Sequence, residues 1–207
     1  MFVGCGGDKK DLFPAEYEVE VTNLTNFQPL SPVGIVLHDD QSFFKVGETA
    51  SLALEKLAEG GDNSEILALG KTSSSTDAAV LPGETAVLSI RKKFGESKLS
   101  VFSMLVNTND AFTGVNTHEL GNMEVGETVV LNTRAYDAGT ENNTESAGTI
   151  PGPADGGEGF NPLRDDVDVV RMHAGVVTKD DGLSSSVLSE QAKFDNPVMR
   201  IRLRRVK

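Results

Sequence analysis

The sequence contains no tryptophan and only one cysteine, Cys5. With a single thiol, no disulfide can form within the chain. Long apolar runs are also missing, since none approaches the roughly 20 residues that a membrane-spanning helix needs. These absences exclude a disulfide-stabilised scaffold, and nothing in the sequence indicates a membrane-spanning helix.

Positive charge is scarce as well. The chain carries 19 Lys and Arg against 31 Asp and Glu, which gives a net charge of −12. No nucleic-acid partner is expected, because phosphate backbones are bound mainly by Lys and Arg. The excess acid is concentrated between Asp137 and Asp168, where Arg164 is the one basic residue. Most of this segment is expected to be a solvated acidic loop.

Catalytic motifs are equally sparse. The sequence has no Gly-x-Ser-x-Gly, His-Glu-x-x-His or Cys-x-x-Cys pattern. Its three histidines, His38, His118 and His173, lie far apart in sequence. Two acidic residues follow His38 and could orient it as a general base, but a single histidine at a strand end is more often structural. We therefore expect a binding protein and not an enzyme.

The residues that are present indicate short β-strands. Tyr17, Val19 and Val21 alternate with polar residues, as do Met199 and Ile201 near the end of the chain. This alternation is typical of strands with one buried face. For a chain of this length, a single all-β domain is ordinary. The sequence therefore predicts an all-β fold, an antiparallel β-sandwich with one or two short helices, in one domain over residues 16–207.

Two segments interrupt the strand pattern with helix signals. Residues 51–59 begin with Ser51, a good N-cap, and place four apolar residues on one side before a Gly-Gly pair ends the helix. A second short helix is predicted over residues 63–69, with Asn63 as its cap. Both helices are minor elements of the predicted fold.

The first and last predicted strands carry opposite charges on their polar faces. Glu18 and Glu20 share the outward face of the first strand, and Arg200, Arg202 and Arg204 share that of the last. Opposite charges across neighbouring strands are favourable. We therefore expect these two strands to lie in one sheet or to face each other at its edge.

Two oxygen-rich loops lie further along the chain. Strands predicted at residues 99–106, 112–119 and 128–136 would form an antiparallel meander. Adjacent antiparallel strands reverse direction at each turn, so the loops at 107–111 and 137–143 leave the same end of the sheet. Acidic side chains from both loops are therefore expected to lie near one another.

Those side chains are Asp110, Asp137 and Glu141. Three facing carboxylates repel one another and raise each other's pKa values, and a hard cation such as calcium removes that conflict. On spacing alone, Asp110 and Asp137 are explained equally well as residues that cap turns. The spacing therefore leaves both a cation site and ordinary turn chemistry open.

Two segments resemble motifs of the spondin N-terminal domain family. Residues 109–115 (NDAFTGV) are similar to Pro-Asp-Trp-Phe-x-Gly-Val, and residues 136–141 (YDAGTE) to Trp/Tyr-Asp-Ala-Gly-Thr-Asp. The resemblance extends over residues 16–207. In that family the aspartate of the first motif and both acidic residues of the second coordinate calcium in a β-sandwich. The resemblance implies a Ca²⁺ cofactor held by Asp110, Asp137 and Glu141.

The sequence also departs from the family. Animal spondins carry this domain among repeats rich in Trp and Cys, whereas this chain resembles a stand-alone microbial form. Glu141 stands in place of an aspartate and lengthens one ligand arm, and Ala111 replaces a tryptophan. The matrix ligands of the animal proteins therefore do not carry over. The extracellular partner is left open as a protein, a glycan or a lipid head group.

The N-terminus carries a second resemblance. Residues 2–7 (FVGCGG) are similar to the end of a bacterial lipoprotein signal, in which the cysteine becomes lipidated. Only four residues precede Cys5, fewer than the roughly 15–30 of a signal peptide, so either the natural chain starts upstream or the match is chance. On the first alternative, residues 1–15 form a tether with a lipid-anchored membrane attachment. We expect an exported protein, either a cell-surface or outer-membrane lipoprotein or a secreted one.

Two functions are consistent with these patterns. The first is an exported, calcium-binding β-sandwich module for extracellular or cell-surface binding and adhesion. The alternative is a metal-dependent hydrolase that uses the same carboxylate site as a Lewis acid. A structural metal has its coordination filled by protein oxygens, whereas a catalytic one keeps an open position beside a concave pocket.

Overall fold

The computed structural model describes residues 14–207, and within that range it shows an all-β fold with two short α-helices. The strands are β1 (Glu16–Asn23), β2 (Gly34–His38), β3 (Thr72–Ser75), β4 (Thr85–Arg91), β5 (Lys98–Met104), β6 (Ala111–Glu119), β7 (Thr128–Thr133), β8 (Ala135–Asp137), β9 (Arg171–Met172) and β10 (Met199–Arg205). The α-helices are α1 (Leu52–Gly60) and α2 (Ser64–Leu69), and single 3₁₀ turns span Lys179–Asp181 and Glu190–Ala192. None of the helices in the described range is long and apolar enough to cross a membrane.

The strands form two antiparallel sheets. The four-stranded sheet has the order β4-β1-β10-β7, and the six-stranded sheet has the order β3-β2-β5-β6-β8-β9. β1 and β10 pair in the middle of the four-stranded sheet, with Glu18 opposite Arg204 and Glu20 opposite Arg202. The pairing of the first and last strands, predicted from their opposite charges, is confirmed.

A hydrophobic core fills the space between the sheets. Val19 and Val21 of β1 are fully buried, and so are Ile201 and Leu203 of β10. They pack against inward residues of the six-stranded sheet, among them Val101. The alternation that predicted these strands thus reflects one face in the core and one in solvent.

The helices cover the other face of the six-stranded sheet. Phe102 and Phe112 point to that side and are fully buried in a second core with Leu54, Leu57 and Ile66. The six-stranded sheet is therefore buried on both faces, and the helices form a third layer. Because of this layer, strands β5 and β6 have apolar residues on both sides.

The helix boundaries agree with the sequence, but one cap differs. The Ser51 side chain accepts a hydrogen bond from the Leu54 N–H, and Gly61 caps the C-terminus of α1 with a φ of 69°. The predicted cap of α2, Asn63, makes no side-chain capping bond. Its amide instead donates to the Pro32 carbonyl (2.7 Å) and to the Ser75 hydroxyl (2.9 Å). Asn63 therefore ties α2 to the β2 and β3 edge of the sheet.

The predicted meander is wrong in one strand. The segment expected to form a single strand at residues 128–136 is divided at Arg134 into β7 and β8, which belong to different sheets. β7 pairs with β10, and β8 crosses to pair with β6. A strand that switches sheets closes a corner of the sandwich. β8 still ends beside the start of β6, so the expected proximity of the two loops holds.

The sandwich has two ends, which are named here by their contents. At one end, called the carboxylate end, β6 begins after Asp110 and β8 ends at Asp137. At the other, called the N-terminal end, β1 begins and the β4–β5 and β6–β7 loops reverse direction. β5 has seven residues, so roughly 20 Å separates the two ends.

Candidate metal site at the carboxylate end

The β6–β8 ladder places Asp110 beside the 137–141 segment. Ala111 lies opposite Asp137 in the ladder, and the Ala138 N–H donates to the Asp110 carbonyl (3.2 Å). Gly139 then turns the chain with a φ of 72°. A Cβ on Gly139 would lie 2.4 Å from the Val169 carbonyl oxygen, so only glycine fits this close approach.

Asp110 is the most deeply buried of the predicted ligands. Its Oδ2 accepts hydrogen bonds from the N–H groups of Thr140 (2.9 Å) and Glu141 (3.2 Å). Its Oδ1 is buried and has no partner among the described residues. Burial, reinforced by the charge of Asp137, raises the pKa of Asp110 to about 7. A buried carboxylate oxygen without a donor is unfavourable unless a proton or a cation joins it.

Asp137 already has partners for both oxygens. Oδ1 accepts from the Gly139 N–H (2.8 Å), and Oδ2 accepts from the Asn143 amide (2.7 Å) and from the Arg171 guanidinium (3.1 Å). Arg171 also forms an ion pair with Asp166. The positive charge beside Asp137 in this structure is therefore supplied by Arg171.

Glu141 is held by the first loop. Its Oε1 accepts from the Asn109 amide (2.9 Å), which also donates to the Thr149 hydroxyl (3.0 Å). Burial raises the pKa of Glu141 to about 7, although the bond from Asn109 lowers it, and the charge of Glu59 raises it further. Glu141 is thus a second carboxyl group with an unfavourable charge.

The three predicted ligands meet around one loop but do not converge on one point. Asp110 feels the charge of Asp137 and of Glu141, and it contacts Glu141 through the backbone N–H. Among residues 14–207, no group of three or more Asp, Glu, His or Cys side chains is arranged so that it could hold a metal ion. In this arrangement Arg171 donates to Asp137, and the backbone N–H groups of Thr140 and Glu141 donate to Asp110.

Sequence reasoning missed Glu59 on α1. The side chain is buried, its Oε2 accepts from the Asn161 N–H (2.9 Å), and its Oε1 has no partner among the described residues. Burial raises the pKa of Glu59. Glu55, one turn earlier, is also buried and pairs with Arg164. Glu55 and Glu59 lie four positions apart on the buried side of the predicted helix, and this spacing was a signal that could have identified these buried carboxylates.

Two other predicted sites have different outcomes. Cys5, the predicted lipidation site, lies outside the described residues. His38 is buried, its Nε2 lies 2.8 Å from the Ser100 hydroxyl, and its Nδ1 has no partner among the described residues. The ring packs edge-on against Phe43. This environment is that of a histidine built into the core.

No model of a known protein family matches the chain. A search of curated proteins also gives no match.

Proposed function

We propose that the chain is an exported calcium-binding β-sandwich module for binding or adhesion outside the cell, as its resemblance to spondin N-terminal domains implies. The observation that supports the calcium site is Asp110 Oδ1, a fully buried carboxylate oxygen that has no donor among residues 14–207. A calcium ion supplies the missing positive charge in a chain whose net charge is −12.

The donor set suits a hard cation. Asp110, Asp137 and Glu141 offer carboxylate oxygens, which calcium prefers. Arg171 would compete with calcium for the carboxylate of Asp137, since the guanidinium and the calcium ion both carry positive charge. Calcium affinity is therefore expected to rise when Arg171 is neutralised.

The hydrolase hypothesis receives less support. It requires an open coordination position that a substrate can reach. Asp110 and Asp137 are both buried. This burial favours a structural role for the metal over a catalytic one.

The experiment is thermal unfolding in calcium and in chelator at constant ionic strength. Extracellular calcium modules commonly have dissociation constants on the order of 10⁻⁴ to 10⁻³ M. At ~10 mM calcium, mass action then stabilises the fold by roughly 1.4 to 2.7 kcal/mol, and Tm rises by about 3 to 10 °C. Asp110→Asn and Asp137→Asn should remove most of this shift. Equal melting curves in calcium and chelator would refute the calcium site.

Two further variants test the assignment. Arg171→Gln removes the competing cation and should enlarge the calcium-dependent shift. Glu124→Gln changes an exposed acid at the N-terminal end and should leave the shift as it is in the unmodified protein. A shift that falls equally in Glu124→Gln and Asp137→Asn would indicate general charge screening instead of a site.

A further inference from the structure

The N-terminal end displays a fully exposed aromatic side chain. Phe94 lies in the loop that joins β4 to β5, and its side chain is 103% exposed. A single exposed apolar residue is ordinary on a protein surface. Phe94 differs because three further features of the loop converge on it.

The first feature is that the turn is closed by hydrogen bonds. The Glu96 N–H donates to the Lys93 carbonyl (3.3 Å), and Gly95 has a φ of 86°. This is the pattern of a type II turn with Phe94 in the first central position. The buried Glu96 carboxylate accepts from the Lys93 N–H. The hydrogen-bonded turn therefore holds Phe94 in a position exposed to solvent.

The second feature is local positive charge. Lys92 and Lys93 precede Phe94, and Lys93 Nζ donates to the carbonyl of Lys71 on a neighbouring loop (3.1 Å). No ion pair within residues 14–207 involves any of these three lysines. The nearby acids Asp39 and Asp40 contact Ser97 and Lys98 instead. Three lysines without an ion-pair partner among residues 14–207, Lys71, Lys92 and Lys93, thus lie at or beside the Phe94 turn of an acidic protein.

The third feature is where the chain enters the domain. The Lys92 N–H donates to the Ala15 carbonyl (2.8 Å), and Arg91 pairs with Glu16. Residues 1–13 therefore join the domain beside the Phe94 turn. Cys5 precedes Ala15 by ten residues, which span at most about 35 Å. A lipid carried by Cys5 would hold this same end at a membrane.

We propose that the turn at residues 93–96 docks onto a lipid bilayer with anionic head groups. Phe94 enters the boundary between head groups and acyl chains, while Lys71, Lys92 and Lys93 contact the anionic head groups. The docking places the carboxylate end away from the bilayer, about 20 Å further out. It does not depend on calcium binding or on lipidation of Cys5.

The test uses the full chain with Cys5→Ser, in chelator, so that neither a lipid anchor nor calcium contributes. Binding is measured by flotation with vesicles of phosphatidylcholine, with and without phosphatidylglycerol. Binding to the anionic vesicles is expected, and it should weaken as salt screens the lysines. Because the chain has no tryptophan, Phe94→Trp provides a single reporter whose emission should shift to the blue on the anionic vesicles.

Matched variants separate the contributions. Phe94→Ala should lower the partition coefficient roughly tenfold, and Lys71→Gln or Lys92→Gln about fivefold each. Val46→Ala is the control. Val46 is 51% exposed and occupies the same kind of turn, but that turn lies elsewhere, beside Val170. This variant should bind as the parent protein does.

Two results would overturn the proposal. One is no flotation of the parent protein with anionic vesicles at low salt, which would point to a protein partner for Phe94. The other is flotation that Phe94→Ala and Val46→Ala leave equally unchanged. Unfolding curves of each variant confirm that any loss of binding reflects the surface and not the fold.

Discussion

Gly114 shows how a single residue type can be dictated by a neighbouring strand. It lies on β6 opposite Phe102, and a Cβ there would lie 2.1 Å from the Val101 carbonyl oxygen. Real side chains do not approach a backbone oxygen that closely. The glycine in the motif at residues 109–115 therefore has a packing reason that is independent of any metal.

Gly114→Ala is expected to destabilise the fold by roughly 1 to 3 kcal/mol, because the strands must separate to admit the methyl group. Urea unfolding measures this change. Gly159→Ala is the control, since the nearest atom to its added Cβ lies at 3.6 Å, and it should cost less than about 0.5 kcal/mol. Similar losses in both variants would contradict the steric explanation.

His38 provides a residue-scale prediction of pH dependence. Burial, assisted by Lys98, lowers the pKa of His38 from its usual 6.5. The unfolded chain therefore binds more protons than the folded one at mildly acidic pH, so stability is retained above about pH 6.5 and lost as pH falls through the lower folded pKa. Burial also lowers the pKa values of His118 and His173, which act in the same direction.

His38→Gln should therefore reduce the loss of unfolding free energy between neutral and mildly acidic pH. Denaturant curves collected across that range give the slope. Ser100→Ala is the control, because it removes the hydrogen-bond partner of His38 but leaves the titrating ring in the core. If the slope is the same in His38→Gln as in the unmodified chain, the acid sensitivity arises elsewhere.

At the scale of elements, an ion pair connects the neighbouring strands β1 and β10. Arg202 contacts Glu20 at 2.9 Å across the two strands. A double-mutant cycle with Glu20→Arg and Arg202→Glu should give a coupling of roughly 0.2 to 1 kcal/mol, as for other exposed cross-strand pairs. Urea unfolding of the four proteins provides the cycle. Strict additivity would show that the contact contributes nothing.

The two helix starts make a matched pair. Ser51→Ala should cost about 1 kcal/mol, and Ser51→Asp should recover most of it, because aspartate caps as well as serine. Asn63→Asp should fail to recover the loss of Asn63→Ala, because the Asn63 amide donates to Pro32 and Ser75 and an aspartate cannot. Thermal unfolding compares the four variants. Recovery by aspartate at residue 63 would mean that capping is its main role.

Local sequence patterns predicted where the strands lie better than they predicted which strands pair. Alternation identified β1 and β10 because each has one buried face, opposite a face that is partly buried in β1 and exposed in β10. The break between β7 and β8 was missed because residues 128–136 continue to look like a strand while the chain passes from one sheet to the other. That crossing depends on which partner strands are available, and partner choice is not visible in a single segment.

A recurring turn shows how far a short motif fixes local structure. In four of the five Gly-Glu pairs of the sequence, the glutamate N–H donates to the carbonyl three residues earlier. The central glycines all have positive φ, which other residues rarely adopt. They are Gly47 (93°), Gly83 (78°), Gly95 (86°) and Gly126 (91°). The Gly-Glu pair favours this turn but does not specify it alone, because the Glu158 N–H donates instead to the Gly148 carbonyl (2.8 Å).

At the scale of the whole molecule, the site could be predicted only in part. Reversal of antiparallel strands brought Asp110 and the 137–141 segment together, as expected. The residues that surround them come from elsewhere: Glu59 lies on α1, and Arg171 follows a long loop. Their contacts with the site arise from packing of the helix layer and from the added edge strand β9, so no local spacing in the sequence indicates them.

The topology also predicts that the six-stranded sheet is not stable without the four-stranded sheet. β10, the last strand in the sequence, lies between β1 and β7 and pairs with β1, the first strand. A chain truncated after Asn196 loses this central strand, leaves β7 unpaired in its sheet and exposes the core around Val19. It should show no cooperative thermal transition by circular dichroism, whereas a chain truncated after Arg205 keeps β10 and should melt cooperatively with a modest loss in Tm. A cooperative transition in the chain that ends at Asn196 would show that the six-stranded sheet and its helix layer are stable by themselves. That result would contradict the prediction that the four-stranded sheet is needed for stability.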